Sequence, residues 1–268
     1  YSRLIATSFN VGFNYQVNNL TGENGSQRYD VAGLRYFGLG FPISKRVGAA
    51  LGLTPLTQTG YDINASGTVD GEFVRTNYSG DGGISRAFIG LSYEIISDSN
   101  RQLSVGSNLS YIFGPVSEIT TINFPSNGSA YSTYESQRLN HSDLSADLGV
   151  QYRMDLARKN HLDRFLTIGG TYKFGGNIRT RKEVLIGNLD LGRLKDTLAA
   201  GSDTGNVFIP TRFGVGVGME FFNRNTKRRL QVHAEYEFGA WSQMEVFGVN
   251  EGLNDNWQVA AGAEYIPD

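Results

Sequence analysis

Apolar and polar residues alternate along much of this chain with a period of two. Phe9, Val11, Phe13, Tyr15 and Val17 alternate with Ser8, Asn10, Gly12, Asn14 and Gln16. Leu103, Val105, Leu109, Tyr111 and Phe113 alternate with Ser104, Gly106, Asn108 and Ser110. The same rhythm runs from Leu144 to Met154, from Phe213 to Phe221 and from Leu230 to Phe238. Such a period means a β-strand with one apolar and one polar face. About ten strands are predicted, at roughly 2–17, 29–41, 47–65, 72–96, 102–122, 131–154, 162–181, 208–222, 229–246 and 256–266.

A soluble sandwich also alternates, so the connections matter. Those at 42–46, 97–101, 155–161 and 223–228 are short, and those at 18–28, 123–130, 182–207 and 247–255 are mostly longer. Short turns at one end and long loops at the other are the habit of outer-membrane barrels. The polar faces carry charges in mid-strand and the apolar faces often end in aromatics, as membrane girdles do. The fold expected is all-β: one transmembrane antiparallel up-and-down β-barrel domain over residues 1–268. Strands of 15 or more residues exceed the roughly 9–11 needed to cross a bilayer and should project beyond the outer surface. In the longest loop, Leu191, Leu194 and Leu198 have helical spacing. That spacing predicts a short helix within 189–200.

The alternation is broken at Leu51-Gly-Leu-Thr-Pro-Leu-Thr-Gln-Thr-Gly-Tyr61. Pro55 cannot donate to a ladder, and Gly60 is a weak strand residue that marks bulges and bends. A second break, Gly80-Asp-Gly-Gly83, follows about 20 residues later. If the two strands are neighbours, the barrel wall has a flaw at one height. The plainer alternative is a proline at a harmless bulge.

Composition sharpens this only in part. The chain has 34 glycines, 14 tyrosines and 16 phenylalanines among 268 residues. Mean hydropathy is -0.29, and no apolar run approaches the roughly 20 residues of a membrane helix. A secreted β-sandwich or propeller could share these numbers. The lack of cysteine excludes a disulfide scaffold and a cysteine nucleophile. A net charge of -2 gives no general basic surface for nucleic acid.

Candidate chemistry is sparse. His141 with Asp143 could hint at a barrel protease or lipase, against the plainer reading of a solvated loop histidine. His233, Glu235 and Glu237 share a face and could bind a metal, although polar lumen residues explain them as well. Lys227-Arg-Arg229 reads as a solvated turn. No enzyme activity, cofactor or metal is expected.

Gly38-Leu-Gly-Phe-Pro-Ile-Ser-Lys45, Gly48 to Pro55 with Gly60-Tyr61, Tyr78 to Ile84, Phe88 to Tyr93 and Leu103 to Gly114 together resemble the FadL-type long-chain fatty-acid transporter family. The resemblance implies a fourteen-stranded barrel with an amino-terminal hatch. The hatch and about four carboxy-terminal strands would then be missing from this sequence. It also implies a kinked third strand opening a lateral window toward the bilayer. Leu53, Pro55, Leu56, Thr57, Gln58, Gly60 and Tyr61 would line that window, with Gly80, Gly82 and Gly83 opposite.

Two functions follow from the resemblance, both in the outer membrane of a Gram-negative bacterium. The first is passive uptake of hydrophobic, fatty-acid-like small molecules through a lumen pocket and the window, with outer-membrane lipid as partner. The second is an accessory or structural barrel subunit of a secretion or assembly complex, of the type IX or barrel-assembly kind, with protein partners. An apolar lumen pocket would favour the first.

Overall fold

The computed structural model describes residues 4, 6–22, 25–69, 72–98, 100–124, 131–159, 161–190 and 193–267. Fourteen strands form one antiparallel sheet: β1 (Ser8–Gly22), β2 (Gly25–Pro42), β3 (Val47–Val69), β4 (Glu72–Ser97), β5 (Arg101–Asn123), β6 (Ser132–Lys159), β7 (Leu162–Lys173), β8 (Gly176–Asp190), β9 (Arg193–Ile209), β10 (Arg212–Asn223), β11 (Arg229–Gly239), β12 (Glu245–Val246), β13 (Val249–Asn250) and β14 (Asn256–Ile266). Ten of them stand abreast in the order β1-β2-β3-β4-β5-β6-β7-β10-β11-β14, each beside its sequence neighbour or the next strand to return. The sheet curls into a half-barrel, with β1 and β14 at its two margins.

The surface is inverted relative to a soluble protein. Phe13, Ile89, Leu109, Leu144, Val215 and Trp257 are exposed, Phe13 at 76%. Ser92, Glu94, Ser104, Ser110 and Asp147 are buried on the concave side, Glu94 at 5%. Since paired residues share a face, each strand sends its apolar set outward and its polar set inward. That is the surface a lipid environment selects. Tyr172, Phe213, Phe238 and Trp257 pair in sequence across four strands, laying one row of rings along the outer face. Such a row marks a membrane interface.

Charge clusters pull next-nearest strands together on the concave face. Arg86 (β4) and Asn108 (β5) both reach Asp147 (β6), at 3.5 and 3.0 Å. Lys173 (β7) and Arg212 (β10) meet Glu237 (β11) at 3.1 and 3.9 Å. Arg153 (β6) and Arg229 (β11) flank Glu220 (β10) at 3.2 and 3.3 Å, and the Arg153 guanidinium lies 4.1 Å from the Phe165 ring of β7. Strands two apart are separated by roughly 10 Å in a flat sheet. Long side chains close that distance where the sheet curves toward them, so these clusters favour the curl.

Above the ring row the wall changes. β7 stops at Lys173 and β8 restarts at Gly176, while β9 stops at Ile209 and β10 restarts at Arg212. Buried Pro210 and the bond from the Gly175 N–H to Thr211 Oγ1 (3.2 Å) mark the step. β6 pairs with β7 from Asp147 onward but with β8 up to His141. Between them the Asp143 carboxylate accepts from the backbone N–H groups of Leu144 and Arg179 at 2.8 and 2.9 Å, in place of the interrupted ladder. β8 and β9 therefore rise as a hairpin arm.

Five expectations change here. The helix predicted within 189–200 is strand: Leu194 and Leu198 lie in β9 and Leu189 in β8, while Leu191 falls outside the described residues. The long loop at 182–207 is the β8–β9 hairpin, and the loop at 18–28 is ladder as far as Gly22 opposite Gly25. The strand over 229–246 ends at Gly239. A 3-10 turn at Trp241–Gln243 and the small hairpin β12–β13 follow it, and the hairpin pairs back onto β9. His141 is not a solvated loop residue: it is 7% exposed in β6.

Candidate functional site

The break around Pro55 is a fork in the wall. β2 and β3 pair only from Phe37–Leu53 to Pro42–Gly48, six residue pairs beside the short turn. Beyond Leu53, β3 pairs with β4 alone, and β2 before Phe37 pairs with β1 alone. Each strand carries a bulge where they part. In β2, Gly12 faces Tyr36 and Phe13 faces Leu34, leaving Arg35 as the extra residue. In β3, Pro55 faces Ser85 and Thr57 faces Ile84, leaving Leu56 extra. A bulge bends its strand and ends regular pairing, and Pro55 has no N–H to offer. The Thr57 hydroxyl accepts from the Ile84 N–H at 3.3 Å, tying the bulged strand to β4.

The irregularity crosses two further strands at the same height. The β4–β5 ladder has no pairs between Gly82–Val116 and Ser85–Phe113. Gly82 and Gly114 there take φ values of 111° and 139°, which residues with a Cβ rarely adopt. A Cβ on Gly82 would strike the Pro115 carbonyl, and one on Gly114 the Gly83 carbonyl. A Cβ on Gly83 would lie 2.5 Å from the Thr57 carbonyl. These are positions of close backbone approach, which only glycine permits.

The sequence-derived window residues therefore lie along one stretch of the β3–β4 seam, from Leu53–Ala87 to Tyr61–Gly80, but on two faces. By register, Thr57, Tyr61, Gly80 and Gly82 face the concave side, while Leu53, Pro55, Gln58, Gly60 and Gly83 face outward, with Leu56 at the bulge. The Tyr61 ring covers Gly80, its cross-strand partner. A Cβ on inward-facing Gly33 of β2 would lie 3.6 Å from the Gln58 side-chain amide. An outward side chain of β3 meeting an inward position of β2 is what results when β3 steps behind β2 above the fork. Sequence reading missed Arg35, the bulge on the opposing strand, and Gly114-Pro115. The latter pair is a breaker signal in its own right.

The concave face carries polar side chains away from the fork. A cavity of about 440 Å³ opens further round the wall, along β5, β6, β7, β10 and β11, and Asn108, Asp147, Gln151, Lys173, Glu235 and Glu237 bring charge or hydrogen-bonding capacity to its lining. His141 and Asp143 each have a different partner. His141 Nδ1 lies 2.8 Å from Thr180 Oγ1, and burial between β6 and β8 pushes its imidazole below the ordinary histidine range. Asp143 is turned to backbone N–H groups instead. Among the described residues no group of three or more His, Asp or Glu is placed to hold a metal ion. Glu237 is occupied by Lys173 and Arg212.

No curated protein matches the chain, so the likeness to FadL-type transporters rests on the sequence words alone. The BamG family matches residues 1–268, the whole length given, and the chain belongs to that family.

Proposed function

We propose that this chain is a non-enzymatic accessory barrel of the outer-membrane barrel-assembly machinery, working through contacts with other envelope proteins. The BamG match over residues 1–268 carries this reading, since the family name is that of the assembly machinery. The charged side chains Asp147, Lys173, Glu235 and Glu237 on the inner wall are in keeping with it. The exposed apolar outer face and the ring row support residence in the outer membrane. In this reading Leu53, Pro55, Leu56, Thr57, Gln58, Gly60 and Tyr61, with Gly80, Gly82 and Gly83, frame a flexible seam rather than an exit for ligand.

Passive uptake of a hydrophobic small molecule is the second reading, and the fork between β2 and β3 favours it, because it opens the wall toward lipid. The two separate in one experiment. The native full-length protein is extracted in mild detergent and weighed by native mass spectrometry, and its production is then switched off in cells. A stoichiometric complex with assembly proteins, and a fall of several-fold in folded, heat-modifiable outer-membrane barrels, are expected. A solitary barrel carrying fatty acid, with other barrels unchanged, would overturn the assembly reading.

A further inference from the structure

The arm carries a strand edge that is only partly occupied. β9 pairs with β8 on one side over its whole length. On its other side β12 pairs at Val207 and Phe208, and the Phe247 N–H donates to the Asn206 carbonyl at 2.9 Å. Among the described residues no strand lies on that side between Arg193 and Gly205. Every side chain from Arg193 to Thr204 is exposed. Long open edges are normally blunted by charge, proline or a covering element. Here Thr197-Leu-Ala-Ala-Gly-Ser202 contains no charge and no proline.

The open side has a defined register. A strand residue points both its N–H and its C=O to the same side, and the side alternates along the strand. The Asn206 carbonyl faces the open edge, so Thr204, Ser202 and Ala200 face it too. The Thr204 N–H is already taken by the Asp203 carboxylate at 2.8 Å, leaving those of Ala200 and Ser202 as outward donors. Above Ala199, bulges at Leu198 and Lys195 end the regular ladder. The regular open stretch is thus Ala199–Gly205, bounded below by β12.

The side-chain surface repeats the same idea. Phe247, on the turn between β12 and β13, lies against Gly205, where an added Cβ would strike its ring. Tyr61 covers Gly80 and Tyr36 covers Gly12 in the same manner. Gly201 lies on the same face as Gly205, four residues up, and a Cβ there would meet nothing within 4 Å. The seat is open for a large side chain from an added strand.

We infer that the β9 edge at Ala199–Gly205 takes up an extended segment of a partner protein as an antiparallel strand, with an aromatic or large aliphatic side chain seated on Gly201. A second copy of this chain does not fit. Two copies in one membrane run in the same direction, so their β9 strands would be parallel. A symmetric pair would also set identical residues at one height, which the parallel ladder does not allow.

The probe is a fluorescent heptapeptide, Thr-Val-Thr-Phe-Thr-Val-Thr, beside the same peptide N-methylated at alternate amides in each of the two phases. Binding to the full chain in detergent is followed by anisotropy, and backbone protection by hydrogen exchange. Expected are saturable binding, at least tenfold slower exchange in the peptide covering 199–206, and a tenfold loss of affinity with one methylated phase but not the other. Ser202→Pro should abolish binding while keeping the β8–β9 ladder, because the donor it removes faces outward. Gly201→Val should weaken it by filling the seat. Protection elsewhere, for instance at Thr57–Val69, or equal binding of both methylated peptides, would overturn the inference. Because it reads a peptide complex on the purified chain, its failure leaves the assembly reading standing, and the reverse also holds.

Discussion

The β5–β6 and β2–β3 seams are built from strands of comparable length and end differently. β5 and β6 pair without interruption from Arg101–Met154 to Ile122–Thr133, well beyond the membrane belt. β2 and β3 pair over six residues and part. Alternating apolar residues are present at both, so hydrophobic patterning does not decide how far two strands stay together. The difference lies in interruptions to the ladder and in what spans the concave side. Pro55, Leu56 and Arg35 disrupt one seam. The other is spanned by Arg86, Asn108 and Asp147. A barrel wall is thus zipped or forked by a few residues that spoil hydrogen bonding, on a background common to all strands.

Removing the spanning cluster should have the largest effect. Asp147→Ala leaves Arg86 without its carboxylate on a face where Asp147 is 8% exposed. Breaking a buried pair by deleting one partner costs about 3–5 kcal/mol, and the residual access of Arg86 argues for the lower figure. Urea titration of protein refolded into lipid vesicles, followed by Trp257 fluorescence and gel mobility, measures it. A loss below that of a typical surface substitution would mean that the cluster does not hold the β4–β6 seam.

Glycines on the two kinds of wall should respond with opposite sign. Gly82→Ala forces a Cβ into a left-handed conformation against the Pro115 carbonyl, and should cost about 2 kcal/mol or more. At Gly149 a Cβ would meet only the Gly170 carbonyl, at 3.8 Å. Gly149→Ala should therefore stabilise by about 0.5 kcal/mol, by reducing the freedom of the unfolded chain. The same urea titration decides, and equal signs would show that glycine at the fork height is incidental.

Deleting Leu56 tests the fork itself. Without the extra residue, Pro55 and Thr57 become consecutive partners of Ser85 and Ile84, and β3 regains regular twist. Residues 57–61 should then come within reach of β2, and their amides should exchange about tenfold more slowly, a gain of about 1.4 kcal/mol in local opening. Unchanged exchange would place the cause in Arg35 or Pro55 rather than in the bulge.

Much of this wall was legible in the residues, and the exceptions have physical causes. The period of two located the lipid face because a lipid-facing strand must present an unbroken apolar row. Pro55 and Gly80-Asp-Gly-Gly83 announced the irregularity, but which face each residue took depended on the Leu56 bulge, and one extra residue reverses every later position. The β8–β9 arm was misjudged for the same reason. Bulges at Lys195 and Leu198 add residues to a two-residue rhythm and leave Leu194 and Leu198 four apart, which imitates a helix. Pairing with β6 then settles the matter by supplying ladder partners that no local pattern records. Arg35 lacked any signal, being an ordinary residue made special by its neighbour's register.

The smallest effect belongs to the segment that places β12 on the arm. Between Gly239 and Asn256 the chain leaves the wall, and Asp255 holds its start by accepting from the Ser242 N–H at 2.9 Å. The hydrogen bonds from Ser242 keep the Asp255 carboxyl below its ordinary range. A depressed carboxylate contributes stability above its unfolded value, near about 3.9, and loses it as pH falls through the lower folded value. The contribution is therefore complete at neutral pH and fades only in acid. Asp255 is at the surface, so the effect is local and leaves global unfolding almost unmoved. Exchange of the Ser242 amide, corrected for its intrinsic pH dependence, should speed up as the pH is lowered below 4, and in Asp255→Asn it should lose that dependence. If the variant keeps the same acid response, the segment is held by the β12–β9 pairs alone. The arm would then owe its lower boundary to the backbone ladder rather than to a side chain.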